Sequence, residues 1–461
     1  MSTTFYKYAI TCCFFAFQLL YSQKGVESLL IKEGVLLKCD NQLIPSDGRI
    51  ELPRTVKTIA AEAFKNCKQL KSISFAGTIT SVGDSAFARC ASLTKVEMMP
   101  NSVTEIGAKA FAHCPQLASI TLPNSVATIG QEAFKGCTAL ESVEIPEQTT
   151  LIGDAAFAGC LALKKVQFLS TRLPFIPSQM FYECKQLQRV ELPASVRRVK
   201  SSAFAYCESL SAITFPDNLE SVGDDSFEHC KSLTSVTLPD TVIFVGTSAF
   251  NSCSSLQQVK LPYGLKHILN DTFQDCTSLT SIVIPDTVEK INMQAFRNCT
   301  SLRTVQMPLA LTHIFYGVFY GCKNLESIEL PEGVKFVGIF AFAECERLQS
   351  IELPRAVVDL PAKVFYNCTS LSEVKLSRYT TSIGVQTFYG CKSLTELKLP
   401  ATIEKIDLAA FENSALTELH CRAIIPPTVN RNFGYKGRVI VPYRSVDAYK
   451  QAIGWQDCAI E

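Results

Sequence analysis

Sixteen phenylalanines recur at an almost fixed interval along this 461-residue chain: Phe64, Phe87, Phe111, Phe134, Phe157, Phe181, Phe204, Phe227, Phe250, Phe273, Phe296, Phe319, Phe342, Phe365, Phe388 and Phe411. The interval is 23 residues, except that Phe87 to Phe111 and Phe157 to Phe181 take 24. A unit this short cannot bury its own apolar side. Chains with such a period stack their units in a line, each shielding the next. Length divided by a typical domain size would suggest about three domains; the repeat argues instead for one elongated domain.

Aligned on the phenylalanine, the units read L-x-x-I-x-L-P-x-x-V-x-x-I-G-x-x-A-F-x-x-C-x-x, as in Leu117, Ile120, Leu122, Pro123, Val126, Ile129, Gly130, Ala133, Phe134 and Cys137. The first six positions end in alternation and carry β-branched Val or Ile at the fourth, which predicts a short strand. Proline follows at once, as at Pro193, Pro239, Pro285, Pro331 and Pro400. It cannot donate to a ladder, so the strand ends there. Glycine recurs four residues before the phenylalanine, at Gly83, Gly107, Gly130, Gly153, Gly223, Gly246, Gly338 and Gly384, and its freedom at positive φ predicts an outer turn. Lys200, Leu269, Asn292 and Phe315 share that slot, so the turn tolerates a side chain. Parallel pairing of sixteen coils about 4.8 Å apart predicts a curved rod roughly 75 Å long.

Fifteen of the twenty cysteines stand three residues after a repeat phenylalanine, from Cys67 and Cys90 to Cys368 and Cys391, and Ser414 replaces the sixteenth. Neighbouring rungs lie within the Cα range of a disulfide, so distance does not exclude one. An odd number of equivalent rungs argues against pairing. The reading is a buried thiol in a small slot with its weak donor facing a backbone carbonyl; scattered disulfides and a metal are the alternatives. Zinc sites need close pairs, and only adjacent Cys12 and Cys13 form one. Cys39, Cys421 and Cys458 lie outside the ladder, where a bridge is neither indicated nor excluded.

The recurring A-F-x-x-C-x-x-L-x-x-I-x-L-P phrase closely resembles the BspA-like, treponemal-type leucine-rich repeat of bacterial and protist surface proteins, over roughly residues 50–420. The resemblance implies an α/β repeat solenoid: a leucine-rich repeat right-handed coil of about sixteen 23-residue units, with short parallel strands on the concave face. It also implies secretion or surface display, and adhesion to or recognition of other macromolecules. The tail adds to the likeness, with Val439-Ile-Val-Pro442, then Val446-Asp-Ala-Tyr449, Gly454 and Trp455. It reads as a strand and a short helix with Ser445 as N-cap. The organisation expected is a signal peptide at 1–22, an N-terminal capping region at 23–53 opening with Gly34–Leu37 and Arg49–Pro53, the solenoid at 54–420 and a C-terminal capping segment at 421–461.

Lys7 precedes a 13-residue, largely apolar run from Tyr8 to Leu20, too short to span a bilayer and suited to a secretory signal cleaved near Ser22. Leu20 is not the small residue favoured there, and an unusual N-terminus before the first repeat is the other reading. Cys12 and Cys13 do not sit in a lipoprotein box. No later stretch is apolar for about 18 residues, so no transmembrane segment is expected. Lys plus Arg number 44 against 43 for Asp plus Glu, which leaves no electrostatic footprint for nucleic acid.

Nothing marks a catalytic site. The histidines, His113, His229, His267, His313 and His420, are scattered, and the chain has no phosphate-binding glycine loop, no G-x-S-x-G and no H-E-x-x-H. Asp224 and Asp225 read as a solvated turn. The expectation is therefore no enzyme, no cofactor and no metal.

A partner would have to find its energy elsewhere. The exposed strand positions, the second, third and fifth of each repeat, hold no aromatic residue, whereas interfaces draw on Tyr, Trp and Arg. Aromatics gather off the strands in the C-terminal half. The candidate partner-binding residues are Phe315, Tyr316, Tyr320, Phe336, Tyr366 and Tyr389; Tyr320, Tyr366 and Tyr389 share the slot after the repeat phenylalanine, as does Tyr182. They form a contact file for an extracellular protein or glycan, or they merely pack over neighbouring coils. The irregular coil at Leu169–Phe175 is a second candidate, with a repaired frame slip as its plainer explanation. The function expected is a secreted or cell-surface binding module, with a non-binding surface-coat or spacer protein as the alternative.

Overall fold

The computed structural model describes residues 26–75, 77–97, 99–430 and 432–461; the expected signal segment lies outside them. The chain divides into two compact units, Met1–Pro216 and Asp217–Glu461, and both are built from the same coil. In the first, Ser142–Ile145 pairs in parallel with Lys165–Phe168, setting Val143 opposite Val166. In the second, Ser281–Val283 pairs with Thr304–Gln306. Alternation buries Val143 and Ile145 while Ser142 and Glu144 face solvent. The proline then opens a turn: Val126 N–H reaches the Pro123 carbonyl at 3.1 Å, and Val242 N–H that of Pro239 at 3.0 Å.

A two-residue strand follows each turn, as where Thr128–Ile129 pairs with Leu151–Ile152 and Lys290–Ile291 with His313–Ile314. The next N–H extends this ladder, from Gly130 to the Ile106 carbonyl at 2.7 Å and from Gly246 to that of Val222 at 2.9 Å. Pro177 and Pro361 hold the same slot and have no N–H to give. In the first unit the ladder stops at Leu151–Ile152 and resumes at Phe175–Ile176; in the second it stops at Phe336–Val337 and resumes at Asp359–Leu360. It is also interrupted between Phe244–Val245 and His267–Ile268, where the slot holds Leu269 rather than proline.

The rest of each coil is turns, and the glycine expectation needs correcting there. None of Gly83, Gly107, Gly130, Gly153, Gly246, Gly338 or Gly384 has a positive φ; a Cβ on Gly130 would instead fall 2.4 Å from the Ala108 nitrogen. Where glycine stands, the preceding coil approaches too closely for a Cβ, whereas the coils with Lys200, Leu269, Asn292 or Phe315 in the slot accommodate a side chain. The left-handed residues lie two before and two after each phenylalanine, as at Glu62 and Asn66 around Phe64 (φ 61° and 62°) or Gln294 and Asn298 around Phe296 (56° for both). A non-glycine residue held there costs roughly 1–2 kcal/mol. The alternation turns successive N–H groups toward the following coil, and a third ladder offsets that cost. Glu62, Phe64 and Asn66 donate to the carbonyls of Asp84, Ala86 and Ala88 at 2.8, 2.7 and 2.8 Å. Among the described residues, α-helix occurs only at Val446–Gln451, so the repeats themselves are strand and turn.

The repeat phenylalanines are buried and stack face to face at coil spacing. Phe64 and Phe87 have centroids 4.8 Å apart at 8°, and Phe388 and Phe411 lie 5.8 Å apart at 9°. The cysteines do what the spacing suggested: Cys90 Sγ donates to the Phe64 carbonyl at 3.1 Å and Cys299 Sγ to that of Phe273 at 3.1 Å. All the described cysteines are free thiols, and every one except the half-buried Cys458 is buried. Ser414 makes a different bond, its hydroxyl reaching the Phe411 carbonyl of its own coil at 2.7 Å.

Both ends are covered. Leu29–Lys32 folds back antiparallel on Val35–Cys39 through Glu33 and Gly34 (φ 53° and 78°), a two-residue hairpin turn that sequence reading missed. Val35–Cys39 and Arg49–Leu52 then open the two ladders. At the other end Phe433 and Tyr435 meet the last repeat ring, Phe411, edge-on at 6.3 Å. Buried Trp455 packs on Phe433 and Tyr449, both at 5.2 Å, and its Nε1 donates to the Pro427 carbonyl at 3.0 Å. Ser445 does occupy the N-cap position, but its side chain caps nothing: its Oγ is buried without a partner.

Candidate binding surface

The six candidate residues all lie in the second unit, and the structure divides them. Phe315 and Phe336 gather around His313 on the two-residue ladder, their centroids 5.9 Å apart and 5.6 and 6.0 Å from the imidazole. Tyr316 and Tyr320 instead flank a seventh ring, Phe340, edge-on at 5.7 and 5.9 Å. Tyr366 and Tyr389 stack at 4.9 Å and 8°. Tyr320 and Tyr366 are not neighbours; Lys363 joins the groups, its ammonium 5.0 Å from the Phe340 ring and 5.6 Å from that of Tyr366. Arg297 lies 5.1 Å from the Tyr320 ring at the far end.

Phe340 and Lys363 stand in the left-handed slot before the repeat phenylalanine, both at φ 59°. Every coil imposes that conformation, and most fill it with small, polar or glycine residues. A phenylalanine there departs from ordinary backbone preference. Its ring supplies the contact that the shared tyrosine slot could not, because Ala343 occupies that slot between Tyr320 and Tyr366. The polar tips are held too. Tyr320 donates to Glu344 at 3.0 Å and Tyr389 accepts from Asn413 at 2.6 Å. Burial, with the Glu344 hydrogen bond second, pushes the Tyr320 phenol above its ordinary pKa. Ring faces are therefore occupied by neighbours, while Tyr316 and Phe336 remain 40% and 44% exposed.

The strand side is different. Its charges are paired between and within coils, Lys375 with Glu352 at 3.4 Å and Lys398 with Glu396 at 2.9 Å. Glu396, Glu418 and His420 approach within the reach of a metal ion, but Lys398 already neutralises Glu396 and Arg438 holds Glu418 at 3.1 Å. The irregular coil in the first unit is a tidy splice. Ser170 donates to the Thr149 carbonyl at 2.6 Å, Arg172 to Gln148 at 3.1 Å, and Leu173 returns to the core.

The model of the BspA type leucine rich repeat region matches residues 48–164, 104–234, 174–303, 220–329 and 312–430, nearly the whole repeat array. The chain belongs to this BspA-type leucine-rich repeat family. Among solved structures, a leucine-rich repeat protein from Bacteroides ovatus is 29% identical with a TM-score of 0.63, over 81% of this chain and 92% of that one. A leucine rich cell surface protein from Faecalibacterium prausnitzii is 25% identical over 75% of this chain and 92% of its own, with a TM-score of 0.41. No curated protein matches the sequence.

This BspA-type chain also carries a group that sequence reading passed over. Arg355 and Arg378 both lie against the ring of Tyr379, at 5.0 and 4.8 Å. The two arginines occupy one slot on successive coils, and aligning the repeats by that slot was the signal available. The ladder thiols, by contrast, offer no chemistry. Burial pushes those of Cys276, Cys299 and Cys345 far up, so the nucleophilic thiolate is suppressed. No helix among the described residues is long and apolar enough to cross a membrane.

Proposed function

We propose that this chain is a binding module displayed outside the cell, and that its second unit engages an extracellular protein through Phe315, Tyr316, Tyr320, Phe336, Tyr366 and Tyr389, with Phe340 among them. The observation that carries the reading is the segregation of aromatic residues. They collect on the turn and ladder parts of the coils, while the strand side carries paired charges. Aromatic side chains with a polar tip give large contact area at low entropic cost. A sugar would need an open ring face to stack on, and Tyr366, Tyr389 and Phe340 have theirs covered. Edges, hydroxyls and the exposed Tyr316 and Phe336 suit a protein better than a glycan at this surface.

The test is retention of extracellular matrix and host-surface proteins on the immobilised chain, compared with a Tyr320→Ala/Tyr366→Ala/Tyr389→Ala variant whose far-ultraviolet circular dichroism shows it folded at the assay temperature. Removing these contacts should weaken the bound partner at least tenfold, about 1.4 kcal/mol. Binding that survives the triple change places the interface elsewhere. A chain that retains nothing under any condition is a spacer.

A further inference from the structure

At the proline-turn edge of the second unit, Arg355 and Tyr379 line an open hollow of about 550 Å³ with Glu332, Ala356, Val358, Thr381 and Thr402, and Arg378 lies against the Tyr379 ring. It forms beside the break in the two-residue ladder, where Pro361 supplies no N–H. Arg355 Nη2 donates to the Tyr379 hydroxyl at 2.8 Å. Neither guanidinium has a carboxylate partner among the described residues, although the strand-side lysines of the same coils are paired. Asp359, the nearby acid, is taken by the Thr381 and Ser382 hydroxyls at 2.8 and 2.7 Å.

Two like charges set one coil apart, both resting on one ring, with donors left over, are an unspent recognition element. We propose that this hollow binds a single sulfate or phosphate ester carried on a sugar. The three free oxygens of an ester point in three directions and can take forks from two differently placed guanidiniums, whereas the acceptor sites of a carboxylate lie in one plane. The positive stretch is only two coils long. Glu332 occupies the same slot before it and Ala401 after it, so an extended acidic peptide would run into a negative charge. For a sugar the same carboxylate is an acceptor for ring hydroxyls, and Ala356 and Val358 give its C–H face an apolar floor. The site shares with the proposed function only the premise of a binding module, and none of its residues.

The experiment is calorimetric titration of the whole chain at low ionic strength with galactose 6-sulfate, galactose 6-phosphate, galactose and sodium sulfate. Both esters should bind at least tenfold more tightly than sodium sulfate, and galactose should not bind; the tighter ester identifies the natural source. Arg355→Met and Arg378→Met should each lower ester affinity at least tenfold without changing the melting temperature. Glu332→Ala should weaken both esters while leaving sodium sulfate unchanged or tighter. Tyr366→Ala/Tyr389→Ala should leave ester binding alone, so loss of the protein partner and loss of this site read out separately. The proposal is overturned if the esters bind no better than sodium sulfate, if their binding survives both arginine changes, or if poly-glutamate binds more tightly than either.

Discussion

The strand side and the turn side of the second unit are cut from the same repeats, yet they use charge in opposite ways. On the strand side, acids and lysines in neighbouring positions neutralise one another, as Glu352 does with Lys375 across coils at 3.4 Å and Glu396 with Lys398 within one at 2.9 Å. On the turn side, Arg355 and Arg378 repeat one sign in one slot, and Lys363 is spent on the rings of Phe340 and Tyr366 rather than on an acid. In a solenoid the neighbour of a residue is the same slot one coil away. A repeated charge answered by the opposite sign in an adjoining position, as Glu396 is by Lys398, makes an inert surface. One with no such answer leaves something to bind.

The comparison assumes that both sides hang on one core, and alkaline pH tests that most severely. Burial raises the thiols of Cys253, Cys276, Cys299, Cys322, Cys345, Cys368 and Cys391 above the ordinary value of 9.0, that of Cys391 to about 12. Below pH 9 the thiols are protonated folded or unfolded, and their contribution is intact. Above it the unfolded chain loses protons that the folded one keeps, so stability falls as pH rises toward the folded values, by about 1.4 kcal/mol per pH unit for each thiol. Melting temperature should drop steeply between about pH 9 and 11, and replacing three of these cysteines by alanine should flatten the drop. A pH-independent melt would mean the ladder is not buried as thiols.

One rung of the stack comes next. Phe296→Ala should cost about 3–5 kcal/mol in denaturant unfolding and weaken both sides alike. A loss confined to the turn side would show that the two are separately supported. Within the turn side, the stacked pair Tyr366 and Tyr389 contributes about 0.5–1.5 kcal/mol beyond its buried area, measurable as the coupling in a double-mutant cycle. A coupling near zero would make the 4.9 Å stack incidental. The smallest effect belongs to the strand side, where Lys375→Ala should change stability by less than about 1 kcal/mol and leave partner retention untouched. If instead it abolishes retention, the assignment of binding to the turn side is wrong.

Much of this was legible from residue order. The period predicted the coil, β-branched positions such as Val143 predicted the strands, and equivalence of the cysteines predicted free thiols facing carbonyls. The tyrosines of the shared slot were legible as candidates, although their grouping was not. Tyr320 and Tyr366 are bridged through Phe340 and Lys363, which sit in a left-handed slot that their residue types disfavour. Glycine was misread for a related reason. Gly130 carries no positive φ but lies against the Ala108 backbone, and a sequence does not show how closely two coils approach.

The sequence by itself determined the repeat, its core and its ladder of sulfurs, because a fixed interval brings identical side chains together whatever the details of each turn. Only the tertiary structure decided which charges stay unpaired and which rings touch. Those outcomes depend on the left-handed slots flanking each phenylalanine, which carry Phe340 and Lys363 onto the rings of Tyr316, Tyr320 and Tyr366.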